Sequence, residues 1–144
     1  VSQCVGAVLA SITLRLMFPL NATLGATLPA GGALQSFVLE FILTLILMFV
    51  ILSVSTGSKE KGMLAGVAVG AVIALEALFA GPISGASMNP ARSLAPALVS
   101  LRLDSLWIYL AAPVLGAWAG VLAWRCIQDP AFCQSVESTT EICS

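Results

Sequence analysis

The chain has 144 residues, of which 59% are hydrophobic and 9% charged, and its mean hydropathy is +1.04. A soluble domain carries roughly a quarter of charged residues, so this composition excludes an ordinary soluble domain and indicates a membrane protein. The net charge of −1 gives no electrostatic basis for nucleic-acid binding, and the lack of histidine removes the commonest general base and metal ligand. No pair of cysteines has CxxC spacing. We expect no nucleic-acid partner, metal or cofactor.

Four apolar runs approach the roughly 17 to 25 residues that a membrane-spanning helix needs. They are residues 1–18, 36–55, 62–80 and 106–124. The first run is marginal and carries Arg15 close to its end, while Glu40 and Glu76 are the single charges of the second and third. The fourth run has no charge, and Trp107 and Trp124 bracket it about 26 Å apart at helical rise, as aromatic belts at two interfaces would.

Residues 81–100 are apolar but too short, and too interrupted by Pro and Gly, to cross a bilayer. Irregular backbone survives inside a membrane only where protein buries it or where it lines a water-filled cavity. We expect residues 81–88 to be extended and a half-helix, capped by Asn89, to run to about residue 99. The chain would then dip to the membrane centre and return to the same side, with Arg92 one turn nearer the surface. The alternative is a surface loop that joins two spans.

The stretch SGASMNPARS, residues 84–93, resembles the second Asn-Pro-Ala signature of the aquaporin family, the major intrinsic proteins. The matching signature residues are Asn89, Pro90, Ala91 and Arg92. The resemblance implies an all-α membrane protein, part of an aquaporin-like helical bundle. Residues 1–125 would hold four transmembrane helices, equivalent to the family's third to sixth, and one re-entrant half-helix, followed by a tail over residues 126–144.

Family members are about twice as long, because two inverted repeats each contribute one half-helix and one signature. This chain carries one signature, starts without Met and has no basic segment that would indicate a signal peptide. We therefore expect it to be a fragment of a longer channel, and the alternative is a truncated protein.

The subgroup is indicated by GPISGASMNPARSLAPALVS followed by WIYLAAP, which is similar to the nodulin-26-like group and its bacterial relatives. Glycerol facilitators carry Asp and Lys where this chain has Ser93 and Ala97. Water-selective members tend to have Phe-Trp where it has Tyr109 and Leu110.

By the same resemblance, four side chains line the narrowest constriction of the pore, and three of them can be placed here. They are Ala77, Ala86 and Arg92; the fourth belongs to the family's second helix, which the sequence lacks. Two alanines imply a wide filter, less polar than one that passes only water. Arg92 would donate hydrogen bonds and repel cations, and Asn89 would offer its amide to the solute at the centre.

The resemblance also implies an acceptor ladder of backbone carbonyls, from Ser84, Gly85, Ala86 and Ser87. Glu40 would hold the re-entrant loop by accepting backbone N–H groups, and the alternative is a solvated charge near a helix end. We expect Glu76 to pair with a neighbour. Glycines repeat at every fourth position and predict close helix contacts, at Gly62, Gly66 and Gly70 and at Gly116 and Gly120.

The function so implied is a passive channel for water, glycerol-like polyols or neutral metalloid acids such as arsenous, boric or silicic acid. It would sit in the cell membrane, as a homotetramer at full length, without covalent chemistry. Alternation of the spans puts three basic residues, Lys59, Lys61 and Arg125, on one side of the membrane and two, Arg15 and Arg102, on the other. The excess predicts that the first side, with the tail, is cytoplasmic. Two alternatives remain: a non-conducting truncated membrane protein that acts as an assembly or regulatory partner of full channels, and half of a secondary transporter.

Overall fold

The structure, a computed structural model, describes residues 1–56 and 59–129, and it describes only the backbone over residues 59–63. This part of the chain is all-helical. Its helices are α1 (Ser2–Met17), α2 (Ala33–Ser55), α3 (Lys59–Ser84), α4 (Pro90–Ser100) and α5 (Leu106–Gln128). The prediction of an all-α protein is confirmed for these residues.

Three helices in the described ranges are long and apolar enough to cross a membrane: α2, α3 from Leu64 to Ser84, and α5. Helix α1 is also apolar, but with 16 residues, or about 24 Å at helical rise, it is shorter than these three helices. The helices present large apolar side chains outward, among them Val38, Leu75 and Trp118. Such surfaces suit lipid or a protein partner within a bilayer.

The core of the fold is the contact between α2 and α5, with α3 on α2 and α4 between α1 and α5. The α2–α5 contact depends on glycine: a Cβ atom at Gly116 would lie 2.3 Å from the Phe41 carbonyl oxygen, and one at Gly120 would lie 2.7 Å from that of Leu45. The close contact predicted for these two glycines is confirmed. A Cβ at Gly66 or at Gly70 would meet nothing within 4 Å, so these two glycines of α3 make no close contact with the described residues.

The segment after α3 differs from the prediction that residues 81–88 are extended, because α3 continues to Ser84. Pro82 removes only one donor from the helix, and the last turn still closes through a 3.0 Å hydrogen bond from Gly85 N to the Gly81 carbonyl. The chain leaves the helix at Gly85, whose φ of +90° suits glycine.

The helix predicted after Asn89 is present as α4, with Pro90 as its first residue. Leu101 ends it in the left-handed conformation, with φ of +58°. Between α3 and α4, the irregular backbone is thus confined to the five residues 85–89, and these carry the candidate site.

Candidate functional site

Glu40 of α2 is the internal support of the turn between α3 and α4. Its side chain is 0% exposed, although it lies in an apolar helix. Oε1 accepts hydrogen bonds from Ser84 Oγ at 2.7 Å and from Ser87 N at 2.9 Å, and Oε2 accepts one from Met88 N at 2.9 Å. Because residues in the turn have no helical partners for their N–H groups, the carboxylate supplies the acceptors that the backbone lacks.

Tyr109 of α5 fixes the end of α3 from the other side. Its hydroxyl donates to the Ser84 carbonyl at 2.6 Å, and both residues are 0% exposed. Ser84, assigned to the carbonyl ladder, is the last residue of α3, and its carbonyl accepts this hydrogen bond; its place in the ladder stays a prediction. From the sequence Tyr109 is only a subgroup marker, but it bears the single hydroxyl group of the apolar run 106–124, and a buried hydroxyl group needs a hydrogen-bond partner.

Asn89 caps α4, because its Oδ1 accepts a 2.9 Å hydrogen bond from Ala91 N. The Nδ2 donors have no hydrogen-bond partner among the described residues, so they remain available to a solute or to another part of the channel. The half-helix also directs its positive dipole end at this position.

Two open grooves meet at Asn89. One, of about 500 Å³, lies between α1 and α4 and includes Arg92, Leu24 and Gly25 in its lining. The other, of about 380 Å³, lies against α2 and α5, with Thr44 in its lining, and it shares Gln3 and Asn89 with the first. The half-helix terminus at Asn89 therefore borders both grooves.

A chain of hydroxyl groups backs the turn and was not foreseen from the sequence. Thr27, in the connection between α1 and α2, donates to Ser93 Oγ at 2.7 Å. Ser93 Oγ is hydrogen-bonded to Ser87 Oγ, which donates to the Asn89 carbonyl at 2.9 Å. No local pattern signals a contact between residues 66 positions apart.

A family model described as Major intrinsic protein matches residues 1–124. The chain belongs to the major intrinsic protein family. It is similar to aquaporin NIP1-1 of Zea mays (54% identical over 128 residues, 88% of this chain and 45% of that protein). It is also similar to nodulin-26 of Glycine max (48% over 129 residues, 89% and 48%). These relatives confirm the nodulin-26-like subgroup. The chain spans about half the length of the curated relatives that it matches.

Major intrinsic proteins are channels and not enzymes. In this member, the three residues that were assigned to the filter lie in different surroundings. Ala77 on α3 and Arg92 on α4 are exposed, and Arg92 makes no hydrogen bond within the described ranges. Ala86 is 6% exposed and packs with Leu43 and Ala80. Neither alanine lines the groove that contains Arg92, so the filter remains a prediction.

Among the described residues, the other polar groups form no recognisable centre. Glu76 is 2% exposed, and neither of its carboxylate oxygens has a hydrogen-bond partner among the described residues, contrary to the expected pairing. The described part of the chain contains no group of three or more His, Cys, Asp or Glu residues that could hold a metal ion. Cys4 and Cys126 are free thiols, whereas Cys133 and Cys143 lie outside the described residues.

Proposed function

We propose that this chain forms the second half of a passive transmembrane channel for water and small uncharged solutes. The observation that carries the proposal is the meeting of two open grooves at Asn89, where a capped half-helix ends and two amide protons have no partner among the described residues. A solute that passes between the grooves would meet these donors at the narrow centre. No covalent step is involved.

In this proposal α1 crosses the membrane in addition to the three long helices α2, α3 and α5. Helix α4 runs from the membrane centre back to the side from which the re-entrant segment came. The charge of Arg15 is compatible with a membrane position, because its guanidinium donates to the Val99 carbonyl at the end of α4 and to the Asn21 carbonyl. Both carbonyls lie near the helix ends, where a long side chain reaches the interface. The opposing half-helix comes from the remainder of a full-length protein.

Arg92 is the charged member of the proposed filter, together with Ala77 and Ala86. Its exposed guanidinium has five donors for a passing hydroxyl and repels cations. The carbonyls of Ser84, Gly85, Ala86 and Ser87 are proposed as acceptors along the path. The two small side chains suit glycerol-like polyols and neutral metalloid acids as well as water.

The assembly is proposed to be a homotetramer in the cell membrane with a cytoplasmic C-terminal tail. The exposed apolar surface of α3, including Leu64 and Val67, offers a face for lipid or for a neighbouring protomer. The orientation rests on Lys59, Lys61 and Arg125, which outnumber the two arginines on the other side. Residues 130–144 of the tail lie outside the described residues.

The test is a permeability measurement on liposomes that contain the full-length channel, by stopped-flow light scattering. We expect water and glycerol flux well above empty vesicles, and loss of both in Asn89→Leu at equal protein content. The 144-residue chain alone should not conduct, because its half-helix lacks the opposing half. Full-length protein that folds but does not conduct would refute the proposal and favour the non-conducting assembly partner.

The solute range has its own variant, Ala77→His, which places a larger polar side chain at an exposed position of the proposed filter. Because Ala77 is exposed, the change should not affect folding. The ratio of glycerol to water permeability should fall by about tenfold, as expected for a pore narrowed beside Arg92. An unchanged ratio would remove Ala77 from the filter.

A further inference from the structure

Thr27 connects the loop between α1 and α2 to the interior of the candidate site. It is 7% exposed, and its Oγ1 donates to Ser93 Oγ at 2.7 Å. Ser93 lies on the first turn of α4 and is 1% exposed. A loop residue is therefore hydrogen-bonded directly to the half-helix that carries Asn89 and Arg92.

The direction of each hydrogen bond in this chain follows from proton counting, since a hydroxyl has one proton to donate. Ser87 uses its proton on the Asn89 carbonyl at 2.9 Å. In the short contact between Ser87 and Ser93, Ser93 must therefore be the donor. Ser93 can then only accept from Thr27, which is the observed geometry. The donors run in one direction, from the loop to the asparagine, and successive bonds of this kind strengthen one another.

The loop that supplies Thr27 is held against the end of α3 as well. Ala30 N donates to the Ile83 carbonyl at 2.9 Å. The Thr27 methyl group lies 3.0 Å from the position that a Cβ atom would take at Gly85. Thr27 is thus packed by its methyl group and hydrogen-bonded by its hydroxyl group, and its orientation is restricted on both sides.

The chain of donors ends on the carbonyl of the helix cap. That carbonyl accepts from Ser87 Oγ and, at 3.3 Å, from Ser93 N. Two acceptor contacts restrict the rotation of the Asn89 peptide, and the Asn89 side chain is restricted by its own bond to Ala91 N. The hydroxyl chain thus holds the Asn89 backbone, and the bond to Ala91 N holds the side chain that carries the free Nδ2 group.

We propose that Thr27 is a positioning residue for Asn89, acting through Ser93 and Ser87 to set the direction of the asparagine amide at the pore centre. The consequence for transport rests on the proposed channel function. Without the Thr27 hydroxyl, Ser93 accepts no hydrogen bond from the loop, and its own donation to Ser87 is held less tightly. The Asn89 amide should then sample several directions and select solutes less sharply.

The experiment compares Thr27→Val, which keeps the shape but removes the hydroxyl, with Thr27→Ser, which keeps the hydroxyl. Both are made in the full-length channel, and glycerol and water permeability are measured on the same vesicles at matched amounts of folded protein. We expect Thr27→Val to change the permeability ratio by about fivefold, the equivalent of one ordinary hydrogen bond. Thr27→Ser should keep the wild-type ratio. If wild-type protein conducts and Thr27→Val keeps its ratio, the inference is overturned while the proposed function stands.

A double-mutant cycle tests the same inference without transport, using Thr27→Val, Ser93→Ala and the double variant. The readout is the resistance of the folded full-length protein to unfolding in detergent. The inference predicts that Thr27→Val has little further effect once Ser93 is Ala. If wild-type protein fails to conduct, the proposed function falls and this cycle decides the inference: coupling supports it, and full additivity overturns it.

Discussion

Glu40 on α2 and Glu76 on α3 are both enclosed in apolar helices, at 0% and 2% exposure. Their surroundings differ completely. Glu40 accepts three hydrogen bonds, from one side chain and two backbone N–H groups. Neither oxygen of Glu76 has a hydrogen-bond partner within the described residues.

The difference shows that a buried carboxyl group acquires a structural role from what surrounds it. Ser87 and Met88 lie between two helices, so their N–H groups have no helical acceptor, and orphan donors in a membrane interior are costly. Glu40 meets that need from a neighbouring helix. Glu76 accepts no hydrogen bond from the described residues, and its burial therefore does not identify it as a support of the turn.

The largest effect is expected for Glu40→Ala, which strands Ser84 Oγ and two backbone donors. We expect a loss of about 3 kcal/mol or more in unfolding free energy, at 1–3 kcal/mol for each stranded group. Glu40→Gln keeps one acceptor oxygen and should lose less. The stability of both variants is measured by folded yield and by detergent-induced unfolding. Wild-type stability in Glu40→Ala would mean that the turn does not need the carboxylate.

The second prediction concerns the α2–α5 contact that holds Glu40 in place. Gly116→Ala brings a Cβ atom against the Phe41 carbonyl, so the helices must separate, at about 1–3 kcal/mol. Gly70→Ala is the matched control, because a Cβ there meets nothing within 4 Å. Unfolding of the two variants of the 144-residue chain in one detergent compares them. Equal stability would contradict the close packing of α2 and α5.

A smaller effect is expected for Tyr109→Phe, which removes only the hydroxyl that donates to the Ser84 carbonyl. One net hydrogen bond corresponds to about 1 kcal/mol. Combining it with Glu40→Ala should give less than the sum, because both contacts hold Ser84. Strict additivity in the unfolding measurement would show that the two contacts act on separate parts of the fold.

The smallest effect is expected for Glu76→Met. This substitution replaces two buried oxygens without described partners by an apolar group of similar size, which is often neutral or stabilising. Unfolding free energy should stay within about 0.5 kcal/mol of wild type or rise. A loss as large as that of Glu40→Ala would mean that Glu76 has an essential partner, and would end the contrast between the two residues.

The sequence allowed prediction of the features that depend on local pattern. These include the apolar helices, the cap at Asn89 and the glycine contacts of α5. The continuation of α3 through Pro82 was missed, because the helix end there is stabilised by contacts from Glu40 and Tyr109 that lie far away in the chain. The Thr27 contact was missed for the same reason, and Glu76 was expected to have a partner that the described residues do not provide.

The most direct test of the central claim, that Glu40 holds the turn, is residue-resolved amide hydrogen exchange at Ser87 and Met88. It compares wild type, Glu40→Ala and Glu76→Met in the same membrane mimetic. The account predicts slow exchange in wild type and Glu76→Met, and exchange at least about tenfold faster in Glu40→Ala, with α5 amides unchanged. Equal exchange of Ser87 and Met88 in wild type and Glu40→Ala would contradict it.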